Sequence, residues 1–161
     1  MIPERFLSDN GSAGVSWEEL GAGAPTIIGL ARLCSHALAS GTLSAAQLSD
    51  EAKAILYAAR ERGVVEIKAS NKAFDAIDRF LAVYVELDTD TGLVFKDKKD
   101  PVRTIRFLDA FRELCGAGLI FHHLYREFSL TSDGFKLAGQ IQHDDIAQAL
   151  SFGSELSRHE W

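Results

Sequence analysis

The fold is decided by the stretch Leu114-Cys-Gly-Ala-Gly-Leu-Ile-Phe-His-His-Leu-Tyr-Arg-Glu-Phe-Ser-Leu-Thr-Ser-Asp-Gly-Phe-Lys-Leu-Ala-Gly-Gln140. The glycines at 116 and 118 are typical of the end of a helix, which begins at Pro101. A short apolar pair, Leu119-Ile120, leads into a compact hairpin over 121–130. Thr131-Ser-Asp-Gly134 then opens another helix. The stretch therefore predicts a helix, a small hairpin and a second helix in succession.

This order of elements resembles the second half of a winged-helix domain, and the plan extends over about residues 48–140. The resemblance implies an α+β fold, mainly α, with a winged-helix-like core and a β-hairpin inserted at 82–96 before the recognition helix. It also implies that helices over about 25–39 and 141–157 are N- and C-terminal extensions. In the family, such extensions often build dimers or bind a partner.

The remaining elements follow from cap residues and periodicity. Residues 1–24 contain many Gly, Ser, Asn and Asp residues, which predicts a loop-rich segment before a single domain over 25–161. Ser49 is typical of a helix N-cap, and Gly63 of a residue that follows a helix end. The predicted elements are helices over 26–39, 49–62, 71–81, 101–115 and 141–157, and strands over 64–68, 82–87 and 93–96.

Charge and composition limit the classes of function. The 161 residues are 47% hydrophobic and carry a net charge of −6, which argues against a generic nucleic-acid binder. Only residues 96–136 are net basic, with eight Lys and Arg against six Asp and Glu. The sequence shows no apolar run typical of a signal peptide or a membrane span. We therefore expect a cytoplasmic protein that does not contact membranes, in which Cys34 and Cys115 are reduced and buried.

The helix over 101–115 carries the candidate nucleic-acid surface. Its apolar arc, which includes Phe107 and Phe111, lies opposite a polar arc with three arginines and two acids. Arginine matches guanine edges and phosphates best, and the winged-helix resemblance implies a recognition helix here, with the wing at 119–131. The residues expected to contact double-stranded DNA are Lys98, Lys99, Arg103, Arg106, Arg112, Tyr125 and Arg126.

A solvated helix face with internal ion pairs has the same sequence pattern. Arg106 and Arg112 each lie three positions from Asp109, which is the spacing of ion pairs within a helix. If the cations pair with neighbouring acids, the alternative function is a protein–protein interaction module or a small subunit of a larger intracellular complex. For that alternative, the apolar helix over 26–39 is the candidate interface with a protein partner or in a homodimer, through Ile27, Leu30, Cys34 and Leu38.

The sequence contains no motif for catalysis, metal binding or a cofactor. His122-His123 lies in a predicted strand, where adjacent side chains point to opposite faces and do not share one ion. Asp88-Thr-Asp-Thr-Gly92 lacks the remaining ligands of a calcium loop and predicts a hairpin turn. We therefore expect a non-enzymatic protein without a cofactor or a metal.

Overall fold

The computed structural model describes residues 25–40, 48–69 and 79–160. Over these residues the chain is an α+β protein with five α-helices and one six-stranded antiparallel sheet, and about half of the residues are helical. The elements are, in chain order, α1 (Pro25–Ser40), α2 (Asp50–Ala59), β1 (Val64–Lys68), β2 (Ala82–Glu86), β3 (Thr91–Phe95), α3 (Pro101–Gly116), β4 (Ile120–Leu124), β5 (Glu127–Leu130), α4 (Ser132–Gln140), α5 (His143–Leu150), β6 (Ser154–Ser157) and a 3-10 turn (Arg158–Glu160).

The sheet is organised around β1, and its strand order is β4-β5-β1-β2-β3-β6. Val65 of β1 faces Phe128 of β5 on one side and Val85 of β2 on the other. All three side chains are buried, so this row is the centre of the core face of the sheet. The hairpins β2–β3 and β4–β5 therefore lie on opposite sides of β1.

Helix α3 supplies the aromatic centre of the core. Phe107, Phe111 and Leu114 are buried and follow one another at spacings of four and three, which places them on one helix face. Phe107 stacks on Phe95 of β3, with ring centroids 4.3 Å apart. Phe111 meets Phe128 of β5 edge-on, at 5.0 Å. These ring contacts join α3 to both hairpins and thereby set the position of the helix on the sheet.

A buried threonine connects the end of α3 to the start of α4. The Thr131 hydroxyl donates a hydrogen bond to the Gly118 carbonyl at 3.0 Å and accepts one from the Gly134 N–H at 3.1 Å. The Thr131 N–H donates to the Leu119 carbonyl at 2.9 Å. A Cβ atom on Gly134 would lie 2.4 Å from that same carbonyl oxygen, so only glycine fits at this position. In the Thr131-Ser-Asp-Gly134 motif, Thr131 is therefore the N-cap of α4, and Gly134 permits the close contact with the Leu119 backbone.

The predicted α+β class and most predicted elements are confirmed. The helices predicted over 26–39 and 101–115 correspond to α1 and α3, and the predicted strands on either side of the 88–92 loop correspond to β2 and β3. The helix predicted over 49–62 begins at its Ser49 cap but ends at Ala59. The segment 1–24 and most of the helix predicted over 71–81 lie outside the described residues.

The helix predicted over 141–157 was wrong in its second half. Helix α5 ends at Leu150, and residues 154–157 form β6, which pairs with β3 at the edge of the sheet. Gly153 lies between the two elements, where a Cβ atom would approach the side chain of Leu93 to 2.7 Å. Residues 154–157 form a strand because they pair with β3, which is distant in sequence, and the local pattern of apolar residues does not predict this pairing.

We predict that Thr131→Val lowers the free energy of unfolding by about 2 kcal/mol or more, because it removes the cap of α4 and leaves the Gly118 carbonyl without its buried donor. Urea unfolding followed by circular dichroism measures the change. Thr89→Val in the exposed β2–β3 loop is the control, and we expect it to stay within about 0.5 kcal/mol of the wild type. Equal effects of the two substitutions would contradict the assigned role of Thr131.

Candidate functional site

Helix α3 presents one narrow stripe to solvent. Pro101 occupies its first turn, where the missing N–H of proline leaves no hydrogen bond unmade. The Thr104 hydroxyl accepts a hydrogen bond from the Asp97 N–H at 2.9 Å, which fixes the β3–α3 connection against the helix. The exposed stripe opposite the buried face consists of Val102, Ile105, Arg106, Asp109 and Arg112.

Arg103, the first of the arginines predicted to contact DNA, is engaged in contacts within the protein. Its Nη1 lies 2.5 Å from Asp97 Oδ2, and its Nη2 lies 3.7 Å from Asp100 Oδ2. The guanidinium also stacks on the ring of Phe152, 3.7 Å from the centroid. Arg103 therefore joins α3 to the segment that follows α5, which is a structural role.

Two more of the predicted DNA contacts are ion-paired as well. Arg112 Nη2 lies 3.3 Å from Asp109 Oδ1 on the same helix face. Arg126 Nε lies 3.8 Å from Glu66 Oε2 of β1, and Glu66 also pairs with Lys68 at 3.3 Å. Each pair places a carboxylate beside the cation, so these arginines add little net positive potential to the surface.

Lys98, Lys99 and Arg106 are the remaining predicted cations. All three are exposed, and none makes an ion pair with a residue that the structure describes. The two lysines lie in the β3–α3 loop, and Arg106 lies in the second turn of α3. The predicted set of seven residues therefore does not form one uninterrupted basic patch.

The Asp97 carboxylate organises the loop that carries these lysines. It accepts hydrogen bonds from the Lys99 N–H at 2.8 Å and the Asp100 N–H at 3.1 Å, in addition to its contact with Arg103. These donors, with the Lys99 N–H as the largest contributor, hold the pKa of Asp97 below its ordinary value of 3.8. Asp97 is therefore anionic at neutral pH and keeps Arg103 engaged.

The β4–β5 hairpin exposes three large apolar or aromatic side chains, two of them next to its turn. Phe121, Leu124 and Tyr125 are 40%, 55% and 41% exposed. Tyr125 has a positive φ of 53°, a left-handed conformation that a large aromatic residue rarely adopts. The cation at the tip, Arg126, is ion-paired with Glu66, although 56% of its side chain is exposed. The hairpin thus exposes aliphatic and aromatic surface together with one arginine, Arg126, whose charge is paired with Glu66.

The two histidines of the hairpin diverge, as the strand alternation predicts. His122 Nε2 lies 2.7 Å from the Tyr125 carbonyl oxygen, and His123 Nε2 lies 2.6 Å from Ser129 Oγ. Burial lowers the pKa of His122, whose ring lies 4.9 Å from that of Phe128, and this favours its neutral form. Within the described residues there is no cluster of three or more potential metal ligands.

The predicted partner interface on α1 is largely internal. Ile27, Leu30 and Cys34 are 3%, 4% and 1% exposed and belong to the main core, because α1 packs on α3 and β4 of the same chain. Leu38 is the exception, with 39% exposure. In this structure an internal helix–helix contact takes the place of the interface expected over 26–39.

The contact between Glu113 and Ser49 could not be predicted from the local sequence. Glu113 of α3 accepts hydrogen bonds from the Ser49 N–H at 2.9 Å and the Ser49 hydroxyl at 2.8 Å. The same Ser49 oxygen caps α2 by accepting from the Ala52 N–H. Glu113 therefore fastens α3 to the beginning of α2, and a shallow groove lined by Leu33, Arg106 and Arg112 lies beside it.

No protein-family model, curated protein or solved structure matches the chain. Among the helices of the described ranges, none has both the length and the apolarity needed to cross a membrane.

We predict that Arg103→Ala lowers the urea midpoint of unfolding, whereas Arg106→Ala leaves it close to the wild-type value. Both substitutions remove the same side chain from the same helix, so helix propensity cancels between them. The difference isolates the contacts of Arg103 with Asp97, Asp100 and Phe152. Equal midpoints for the two variants would show that these contacts contribute nothing to stability.

The effect of Arg103→Ala should also depend on pH. The pKa of Asp97 in the folded protein lies below its ordinary value of 3.8. Above pH 3.8 the contacts of the Asp97 carboxylate therefore stabilise the fold in full, and this stabilisation disappears as the pH falls through the lowered pKa of the folded state. The difference in midpoint between wild type and Arg103→Ala should therefore narrow below about pH 3.8, and urea titrations at pH 7 and pH 3 measure it. A difference that widened in acid would contradict this assignment.

Proposed function

We propose that this protein is a protein–protein interaction module that uses a winged-helix-like scaffold and binds its partner through the β4–β5 hairpin. The scaffold part is supported by the arrangement of the elements. Strand β5 lies between β4 and β1, α2 directly precedes β1, and α3 directly precedes β4. This is the order that the resemblance of residues 48–140 to winged-helix domains implies.

The observation that carries the proposal is the chemistry of the hairpin tip. Leu124, the last residue of β4, is more than half exposed, and Tyr125, which follows it in the turn, exposes about two fifths of its surface. Phe121, earlier in the same strand and paired with Ser129, is exposed to a similar extent. Exposed apolar and aromatic groups on one hairpin are typical of protein contact sites, because their burial on a partner is favourable. The unusual backbone of Tyr125 supports the same interpretation, since a strained conformation at an exposed tip is typical of functional segments.

The distribution of charge favours a protein partner over a phosphate backbone. The chain carries a net charge of −6. Arg103, Arg112 and Arg126, which were predicted to contact DNA, have carboxylates within 4.0 Å. To bind DNA through these arginines, the protein has to break the ion pairs or place the paired carboxylates near the phosphates. Either way the favourable electrostatic free energy of binding is reduced.

We predict that Leu124→Glu abolishes partner binding without unfolding the protein, because it places a charge at the exposed tip and removes no buried contact. Tagged wild type and variant are expressed in cells that naturally contain the protein, and co-purifying proteins are quantified by mass spectrometry. Val102→Glu, on an exposed apolar residue of α3 away from the hairpin, is the matched control. Partners should fall at least about tenfold for Leu124→Glu only.

Equal recovery of every co-purifying protein with the wild type and with Leu124→Glu would contradict the hairpin as the contact site. Sedimentation of the purified wild type measures self-association in the same series. A dimer that dissociates with Leu124→Glu would identify the partner as a second copy of the chain.

DNA binding is the second candidate function, and it rests on Lys98, Lys99 and Arg106. These exposed side chains lie at the start of α3 without an ion pair to any described residue. Three phosphate contacts give a slope of about −3 for log K against log salt concentration. A titration of random-sequence duplex DNA from low ionic strength, with a variant in which all three residues are alanine, tests this. Such a slope in the wild type, lost in the variant, would favour DNA; absence of binding at low salt favours the interaction module.

A further inference from the structure

A cleft of about 700 Å³ lies on the face of the sheet that is turned away from α3. Its floor contains Tyr84, Val94 and Ser154, which are register partners on β2, β3 and β6. Val94 lies between Leu93 and Phe95, whose side chains belong to the main core, so strand alternation places Val94 on the opposite face. The cleft is therefore separate from the main core, and its volume is typical of a site for a small molecule.

Two connections form the walls of the cleft, and Arg103 joins them. One wall is the β3–α3 loop, and the other is the turn between α5 and β6. Arg103 Nη1 lies 2.5 Å from Asp97 Oδ2 in the first wall, and the guanidinium stacks on Phe152 of the second, 3.7 Å from the ring centroid. Asp97 also accepts hydrogen bonds from the Lys99 and Asp100 N–H groups, which orders the loop. Contacts within the protein therefore hold both walls in place before any ligand binds.

One side of the cleft is cationic. Lys96, Lys98 and Lys99 of the β3–α3 loop all line it. Lys98 and Lys99 are exposed and make no ion pair with a residue that the structure describes. An ammonium group carries a full positive charge and donates three hydrogen bonds, which suits the several oxygens of a phosphate. This side therefore favours an anion.

The two carboxylates in the lining do not cancel this charge. Asp97 is ion-paired with Arg103. Glu160 Oε2 accepts hydrogen bonds from the Ser157 N–H at 2.9 Å and from the Ser157 hydroxyl at 3.2 Å. With Asp97 neutralised, the three lysines of the lining are opposed by the single carboxylate of Glu160, and the local potential is positive although the whole chain is acidic.

The other side of the cleft is apolar. Phe152 and Leu156 are half-buried, and Leu156 packs against the buried side chains of Tyr84 and Val94. An inorganic anion leaves this surface in contact with water, whereas a flat ring that covers it removes apolar area from water. The cleft thus favours a ligand that joins an anionic group to a ring.

We propose that this cleft binds a small aromatic phosphate monoester, with its phosphate at Lys98 and Lys99 and its ring on Phe152 and Leu156. The site is independent of the proposed partner surface, because β6 and β4 are the two opposite edges of the sheet. An aryl phosphate and a nucleoside monophosphate share this chemistry, and the two are compared as ligands.

The test titrates the isotope-labelled full-length chain with phenyl phosphate and follows the backbone amides by NMR. Saturable shifts are expected for residues 96–100 and 151–156. Inorganic phosphate should bind at least about fivefold more weakly, since it leaves the apolar side in water. Adenosine 5′-monophosphate is titrated in the same way, and the tighter of the two esters identifies the source. Absence of shifts at these amides with both esters, or equal affinity for inorganic phosphate, would overturn the proposal.

Two double variants with the same change in net charge test the role of the lysines. Lys98→Gln with Lys99→Gln should weaken the binding of phenyl phosphate at least about tenfold, because both cations of the site are lost. Lys53→Gln with Lys136→Gln removes two cations from α2 and α4, outside the cleft, and should keep the affinity within about twofold at physiological ionic strength. Circular dichroism checks that both variants are folded. Equal losses of affinity would show attraction to net charge alone and would overturn the site.

Discussion

The structure depends on one buried hydroxyl. Thr131 donates to the carbonyl that ends the α3 turn and accepts from the N–H that begins α4, while its own N–H continues the pairing of β4 with β5. Helix, hairpin and helix are therefore connected by hydrogen bonds from a single residue in a space that excludes a side chain at Gly134. With the path of the chain fixed there, α3 enters the core in the orientation that brings Phe107 and Phe111 onto the two hairpins.

The orientation of α3 in turn determines which of its charges are available. Arg103 falls within reach of Asp97, Asp100 and Phe152, and it becomes part of the framework. Arg106 lies on the exposed stripe with Asp109 and makes no ion pair with a described acid, since Asp109 pairs with Arg112. Of the three arginines of α3, only Arg106 has no ion pair with a described residue, and the exposed apolar side chains of the β4–β5 hairpin become the more distinctive surface. The choice between a protein-interaction module and a DNA-binding protein therefore depends on which arginines and lysines are ion-paired, and the number of these residues in the sequence does not decide it.

Much of the fold was predictable, because its signals are local. Ser49 caps α2, Pro101 begins α3 and Thr131 begins α4, and each position follows from the backbone groups that a helix end leaves unsatisfied. The β2–β3 hairpin was predictable from its turn residues in the same way. The prediction was wrong for β6, since 154–157 became a strand through pairing with β3. Of the proposed contact residues only Tyr125 was predicted from the sequence, and Phe121 and Leu124 were not. The pairing of the cations was not predictable either, because ion pairs such as Arg126–Glu66 join strands distant in sequence.

The sequence by itself determined the class of the fold, the first residues of most of its described helices and the amphipathic character of α3, because caps and periodicity act over a few residues. Only the tertiary structure decided that Ile27, Leu30 and Cys34 face their own core and that Glu113 joins α3 to the start of α2. Those contacts depend on how α1 and α2 pack against α3. That packing involves whole helix faces, and no short stretch of sequence records it.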